Sequence, residues 1–482
     1  MKKGLTVYIL VLVLFGLGIG LTIERGSHLK APAMSAKAGT PVVESQVTTP
    51  IVREQPASLW SALEANLRDP LGRLFLQLIM VILATRFVGL LFARIGQPSV
   101  VGEMFAGVFL GPSLLGLLFP GCFDFIFPAS SLGTLKLLSQ IGVCLFMFVV
   151  GMELNLGHLR SRAQTALVVS HVGILFPYFL GVAASLVLFP RLARPGVSFL
   201  SFALFMGISL SITAFPVLAR ILQERRLEAT PLGSTAVACA AVDDVTAWSI
   251  LAVVVAIVRS TGFTATLLSL LLVVLFVALM LWVIRPNLSR WLGVQGLPGE
   301  VPSKGQVAAV LVFTFLSALS TEVIGIHALF GAFLAGVVIP ANAAFREYLK
   351  VRLENFSSVF LLPLFFAFTG LRTQIGLIND LESWLLCLFI IFLATAGKLC
   401  GSMLAARLTG MNWIDSFSLG ALMNTRGLME LIAINIGYDL GILSPQIFAM
   451  LVLMALVTTF MTGPLLTLAK SWRDETRVKE VC

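Results

Sequence analysis

Charge is what this sequence has least of. Only 12% of its 482 residues are Asp, Glu, Lys or Arg, against about 25% in an ordinary soluble domain, while 58% are hydrophobic. So few charges cannot keep the surface of so long a chain in water, and a lipid bilayer becomes the expected solvent. Paired cysteine spacing is also lacking. Cys122, Cys144, Cys239, Cys387, Cys400 and Cys482 form no CxxC or zinc-like pattern, which argues against a disulfide framework or a resident metal. No grouping of nucleophile, base and orienter is visible, and no phosphate-cradling glycine loop, so neither enzyme activity nor a cofactor is expected. The net charge of +9 does not point to nucleic acid, because the basic residues are dispersed through short loops without interleaved aromatics.

What the sequence has in abundance is long apolar runs. It starts with "MKKGLTVYILVLVLFGLGIGLTIERG", two lysines ahead of an apolar stretch, which fits a signal-anchor helix or a signal peptide over residues 1–26. Residues 27–70, rich in Ser, Pro, Ala and Thr, read as an extracytoplasmic linker. Thirteen further spans follow, at about 71–94, 97–118, 134–153, 163–188, 198–222, 232–258, 264–284, 306–322, 326–340, 355–371, 383–406, 413–437 and 444–469, giving an all-α polytopic membrane protein. With the linker outside, the loops assigned to the inside carry seventeen Lys and Arg, among them Arg160, Arg162, Arg346 and Lys350. Those assigned to the outside carry five: Lys136, Arg191, Arg194, Arg259 and Arg372. This asymmetry places the tail, residues 471–482, in the cytoplasm, and a plasma or inner membrane is the expected location.

Two spans are interrupted in corresponding places. In "GISLSITAFPVLARIL", Pro216 has no N–H for the carbonyl of Ile212, and Ser211 and Thr213 stand beside the gap. In "LGALMNTRGLMELIAI", the polar run Asn424, Thr425, Arg426 ends in Gly427 at similar depth. The two spans are seven apart in order, so they run in opposite directions. That is the pattern of two inverted repeats, spans 1–6 and 8–13 joined by span 7, with crossing broken helices holding a binding site at the midplane. Ordinary proline and glycine kinks are the plainer reading of each break alone.

Between Leu232 and Val258 the only charges are Asp243 and Asp244, near mid-membrane. Acids at that depth are costly and usually functional. Successive helical residues point about 100° apart, so one acid can face a water-filled cavity while the other meets a neighbouring helix. Lys398, the only charge between Glu382 and Arg407, differs from Asp243 in expected depth by about 5 Å, a gap a lysine chain covers. Asp243 is therefore assigned to an ion pair with Lys398, and Asp244 to the cavity as the principal ligand for a cation or a proton. Snorkelling of Lys398 to the interface is the alternative. A carboxylate with hydroxyls and freed carbonyls suits sodium or potassium, and the same carboxylate can bind a proton instead. Arg426 and Glu430, four apart, read as a structural pair or as compensation for exposed helix ends. His327, beside Glu322, either senses pH or packs through a hydrogen bond.

The segments "SITAFPVLARIL", "AAVDDVTAW", "IGIHALFGAFLAGV" and "NTRGLMELIAINIG" resemble the monovalent cation:proton antiporter-2 family, which includes bacterial sodium/proton antiporters, glutathione-gated potassium efflux systems and plant cation/proton exchangers. The resemblance runs from about Leu71 to Leu468. It implies a thirteen-helix homodimer over residues 71–470, with a dimerisation part at about 71–153 and 306–371 and a moving core at about 163–258 and 383–469. It further implies exchange of Na+ or K+ for protons by an elevator motion, with the second acid, Asp244, as the main ligand. The wording is nearest the plant exchangers, whose acid pair is more often Asn-Asp; the Asp-Asp here departs from them. Members with this acid pair and a lysine exchange electrogenically. A sodium-coupled organic-anion symporter on a related inverted-repeat fold is the alternative.

Overall fold

A computed structural model describes residues 2–32, 66–67, 69–153, 163–228, 230–259, 263–293, 302–340 and 342–481. Most of the 27–70 linker, and Arg160 and Arg162, lie outside the described residues. Among those described, every regular element is a helix and no strand occurs. The longer ones, in chain order, are α1 (Lys2–Gly26), α2 (Pro70–Arg94), α3 (Ser99–Leu110), α4 (Leu132–Glu153), α5 (Ala163–Leu192), α6 (Phe199–Ser211), α7 (Phe215–Glu224), α8 (Pro231–Arg259) and α9 (Phe263–Ala278). The second half holds α10 (Lys304–Ile324), α11 (Ala328–Val338), α12 (Ala343–Phe356), α13 (Leu362–Arg372), α14 (Leu381–Leu408), α15 (Trp413–Met423), α16 (Leu428–Asp439) and α17 (Pro445–Val481).

Among the described residues, eleven helical stretches are long and apolar enough to cross a membrane, against thirteen expected spans. The difference lies in two ranges. Range 326–340 contains α11, of only eleven residues, and range 413–437 is divided between α15 and α16. The expected tail is also helical, because nothing after Pro464 stops α17 before Val481.

Local chemistry explains where the helices start. Side chains of Ser198, Ser303, Asn342, Asp380 and Asn412 each accept a backbone N–H of the following first turn, and Ser303 with Gln306 forms a reciprocal capping box. Two π-helical turns, Leu279–Ile284 after α9 and Ser357–Leu361 before α13, each precede a proline, Pro286 or Pro363. The proline denies an N–H to the carbonyl four residues back, and the coil widens there.

Helices α5, α6, α14 and α15 pack in one group, and α2, α3, α4, α11 and α13 in another. Close approach in the second group depends on glycine. A Cβ on Gly107 of α3 would lie 2.1 Å from the Phe366 carbonyl oxygen, and one on Gly370 of α13 would lie 1.9 Å from the Gly107 oxygen. Small residues let membrane helices meet backbone to backbone in this way. Outward faces are apolar, with Phe87 70% and Trp282 79% exposed, as helices bordered by lipid require. The polar α12 docks through Arg346, whose guanidinium donates to the carbonyls of Met152, Ile339 and Pro340 and so caps the ends of both α4 and α11.

Candidate functional site

The first interrupted span is a full break and not the kink that Pro216 alone would make. Helix α6 stops at Ser211, Ile212 and Ala214 are extended, and Pro216 lies in the first turn of α7, where a missing N–H costs nothing. The second break runs from Asn424 to Gly427, between α15 and α16. The two breaks are joined directly. The Ala214 N–H donates to the Thr425 carbonyl at 3.0 Å, and the Thr213 hydroxyl to the Met423 carbonyl at 2.9 Å. Gly427 has φ 157° and ψ −128°, a region closed to side chains, and a Cβ there would meet Val217 Cγ2 at 2.7 Å. Gly427→Ala is therefore expected to cost about 1–3 kcal/mol, read as a lower thermal midpoint of the purified protein. Adding Val217→Ala removes the clash but not the backbone strain, so only part of the loss returns.

The crossing gathers five charged side chains, all fully buried: Asp243, Asp244, Lys398, Arg426 and Glu430. Lys398 Nζ lies 2.7 Å from Asp243 Oδ2 and donates to the Ser211 carbonyl at 2.6 Å. The other Asp243 oxygen accepts from the Ser170 hydroxyl at 3.0 Å. Arg426 pairs with Glu430 at 3.1 Å and donates to the carbonyls of Ser209 and Leu210. Two cations thus sit on the carbonyl end of α6, where the helix dipole is negative. Acids sit at the two opposite ends: Glu430 in the first turn of α16, and Asp244 toward the Phe215 N–H that begins α7. The backbone at Arg426 is itself held by Thr459 of α17, and Thr425 shares a hydrogen bond with Thr462.

Asp244 differs from its neighbour in one respect. Among the described residues, neither of its oxygens has a hydrogen-bond partner of normal geometry, and the side chain of Asn424 is likewise without one. Asp244 was expected to face a cavity; it is not among the lining residues of the two cavities described next. A cavity of about 330 Å³ runs from Glu153, Lys350 and Glu354 past Arg220 to Pro216 and Leu428, the opening residues of α7 and α16. The other, about 370 Å³, lies among Lys136, Arg259, Glu322, His327 and Asp439. Asp244 itself is fully buried. Of the remaining groups, Ser211 uses its hydroxyl on the Ile208 carbonyl, and His327 caps α11 by accepting the Leu329 N–H at 3.4 Å.

Sequence reasoning overlooked Ser170, Thr459 and Thr462. The threonines stand in the polar cluster "LVTTFMTGP" of an otherwise apolar span, a visible signal; Ser170 is one small polar residue in "ALVVSHVGILF", beside the more conspicuous His171.

The charge arithmetic of the crossing is direct. Two cationic and three carboxylate side chains leave one negative charge, and one monovalent cation or one proton neutralises it. Known proteins agree in kind. Residues 80–469 match the transmembrane sodium/hydrogen exchanger family. The chain is 43% identical over 389 residues to the Na(+)/H(+) antiporter NhaS4 of Synechocystis sp., covering 80% of this chain and 95% of that protein. It is 40% identical over 404 residues to the Cation/H(+) antiporter 20 of Arabidopsis thaliana, covering 81% of this chain and 48% of that protein, so it spans about half the length of this plant relative. The fold is similar to that of the sodium proton antiporter MjNhaP1 from Methanocaldococcus jannaschii, with a TM-score of 0.56, 13% identity, and 83% of this chain and 97% of that chain covered. With the crossed breaks and every buried charge inside the matched segment, the chain belongs to the sodium/hydrogen exchanger family.

Proposed function

We propose that the protein exchanges Na+ or K+ for protons across a plasma or inner membrane, with Asp244 as the group for which cation and proton compete. The observation that carries this reading is the single uncompensated carboxylate at the crossing, beside a paired Asp243–Lys398. Because one site holds either species and not both, transport of one is coupled to return of the other. The names of the relatives, Na(+)/H(+) antiporter, Cation/H(+) antiporter and, from yeast, K(+)/H(+) antiporter, support exchange and leave the symporter reading without a favouring observation.

Thirteen spans in two inverted repeats, a dimer formed through α2–α4 and α10–α13, and an elevator movement of α5–α8 with α14–α17 complete the proposal. The two packing groups support this division. The cavity lined by Glu153, Glu354, Lys350 and Arg220 reaches the opening residues of α7 and α16, which supports access from the side assigned to the cytoplasm. Helix α1 lays Phe15 between Phe176 and Phe179 of α5, each ring at 5.6 Å, which supports a retained membrane anchor.

The test is proton movement in proteoliposomes carrying a pH-sensitive dye, on addition of each alkali cation in turn. Exchange with Na+ or K+ is expected, and no proton movement with either would sink the proposal. In the same assay Asp243→Asn is expected to retain some exchange with an altered pH profile, since it removes the partner of Lys398 and leaves the main ligand. If the second proton of a two-for-one exchange rides on Lys398 and Asp243, Lys398→Gln lowers the response to an imposed membrane potential more than it lowers cation binding. Equal losses in both would exclude that role.

A further inference from the structure

We infer that Asp439 is a positioning residue for exchange: held by Lys136 and Arg372, it latches the outer end of α16 onto α4 and α13, and it must be released once in every cycle. This rests on the exchange reading and its moving core, and it concerns the end of α16 opposite to the crossing. Both Asp439 oxygens are taken. Lys136 Nζ of α4 lies 3.0 Å from Oδ2, and Oδ1 accepts from the Arg372 guanidinium of α13. Arg372 also donates to Asn435 Oδ1 at 3.0 Å, and the Asn435 amide donates to the Thr369 hydroxyl of α13 at 2.9 Å. Ile432, Asn435, Ile436 and Asp439 follow one another at intervals of three and four, so they share one face of α16. Both polar members of that face are thus bonded to the other packing group. Lipid gives helices no hydrophobic reason to stay together, so such polar bonds weigh heavily in how firmly they hold.

The same face borders a constriction. A slit of about 30 Å³ lies between Ile432 and Asn435 of α16 and Gln140, Val143 and Phe368 of α4 and α13. It adjoins the outer cavity of about 370 Å³, with which it shares Gln140, His327, Ile436 and Asp439. The inner cavity, about 330 Å³, reaches Leu428, one helical turn before Ile432. The wide way toward the crossing is therefore the inner one, and the outer way is narrow where the latch joins α16 to α4 and α13. In the proposed motion α16 travels with the core while α4 and α13 stay with the dimerising part, so these bonds cannot survive it. They are built to open. The side chains of Arg372, Asp439 and Lys136 are 17%, 26% and 35% exposed, and water takes over their charges when they part, which a fully buried pair would not allow.

The experiment has three readings on the full chain. In the first, the double variant Lys136→Cys, Asp439→Cys is reconstituted and bridged with a flexible bifunctional methanethiosulfonate. Bridging is expected to stop most exchange and a reductant to restore it, while the reagent leaves the unaltered chain and each single variant as they were. Undiminished exchange in protein shown by mass spectrometry to be bridged would overturn the inference. In the second, half-saturating Na+ and K+ are measured separately at each membrane face for Asp439→Asn. Releasing the latch raises the share of molecules open to the outside, so the outer value is expected to fall about fivefold while the inner value does not fall. A merely structural loss would weaken both faces alike and would count against the latch, and Asp439→Glu, which keeps the charge, is expected to restore much of the difference. The third needs no transport. Labelling of Ile432→Cys by a membrane-impermeant methanethiosulfonate applied outside is expected to quicken about fivefold when Asp439→Asn is added. Unchanged labelling, together with an unchanged outer half-saturation, would overturn the inference. If the double-cysteine variant yields no monodisperse protein, the second and third readings decide. Absence of exchange in the unaltered chain, with quickened labelling, would refute the exchange reading and leave the latch standing.

Discussion

Asp244→Asn is expected to abolish cation-driven proton movement while leaving a protein that inserts, folds and purifies like the parent. The substitution keeps shape and volume and removes both the titrating proton and the negative charge, so neither exchanged species has its ligand. The structural cost is small because no partner is lost: both oxygens are already without a hydrogen bond of normal geometry. With the acid gone, two cations face two carboxylates and the crossing is neutral, so a gain in thermal midpoint is the expected sign. Asp243 predicts the opposite pattern. Its two oxygens are bound by Ser170 and Lys398, so Asp243→Asn disturbs packing more and exchange less. The check is proton flux for both variants at matched reconstitution, together with thermal midpoints. Substantial exchange by Asp244→Asn, or a milder defect there than in Asp243→Asn, would show the two roles reversed.

Much of this arrangement was legible in the sequence because membrane solvent simplifies the code. The span expected at 232–258 is Pro231–Arg259, and that at 383–406 is Leu381–Leu408. In both, apolar length fixes the helix, and Pro231, Arg259 and the cap Asp380 mark its ends. The two breaks were visible as a proline and as a polar run. Pro216 misled about their nature, since the interruption is extended backbone over Ile212–Ala214 and the proline merely opens the next helix. Less legible was what depends on backbone groups brought together from distant segments. The carbonyls of Ser209, Leu210 and Ser211 carry no side-chain signature, yet they fix both Arg426 and Lys398. Periodicity placed Asp244 on a face of α8, but whether that face is wet depends on how closely α7 and α16 meet. Gly427 allows them to meet closely, and the acid is enclosed.

Arg426→Met is expected to destabilise the protein more than any other single change considered, by about 3–5 kcal/mol, the usual cost of leaving one partner of a buried ion pair alone. The loss has two parts. Glu430 remains as a fully buried acid without its counter-charge, and the carbonyls of Ser209 and Leu210, at the open end of α6, lose their donors. Lys398 cannot replace Arg426, because its ammonium is already committed to Asp243 and the Ser211 carbonyl. The double variant Arg426→Met, Glu430→Leu separates the two parts. It removes the stranded acid and leaves the orphan carbonyls, so it should recover part of the lost thermal midpoint and fall short of the parent. Full recovery would mean that the carbonyls contribute nothing and that the pair is mere charge cancellation. No recovery would place the entire effect on the end of α6. The same measurement bears on the crossing itself, since Arg426 spans both breaks: its backbone belongs to the second and its guanidinium closes the first. Partial recovery with weakened cation-induced stabilisation is therefore the expected joint result, because Asp244 lies toward the Phe215 N–H beside the first break, whose carbonyl end the Arg426 guanidinium closes.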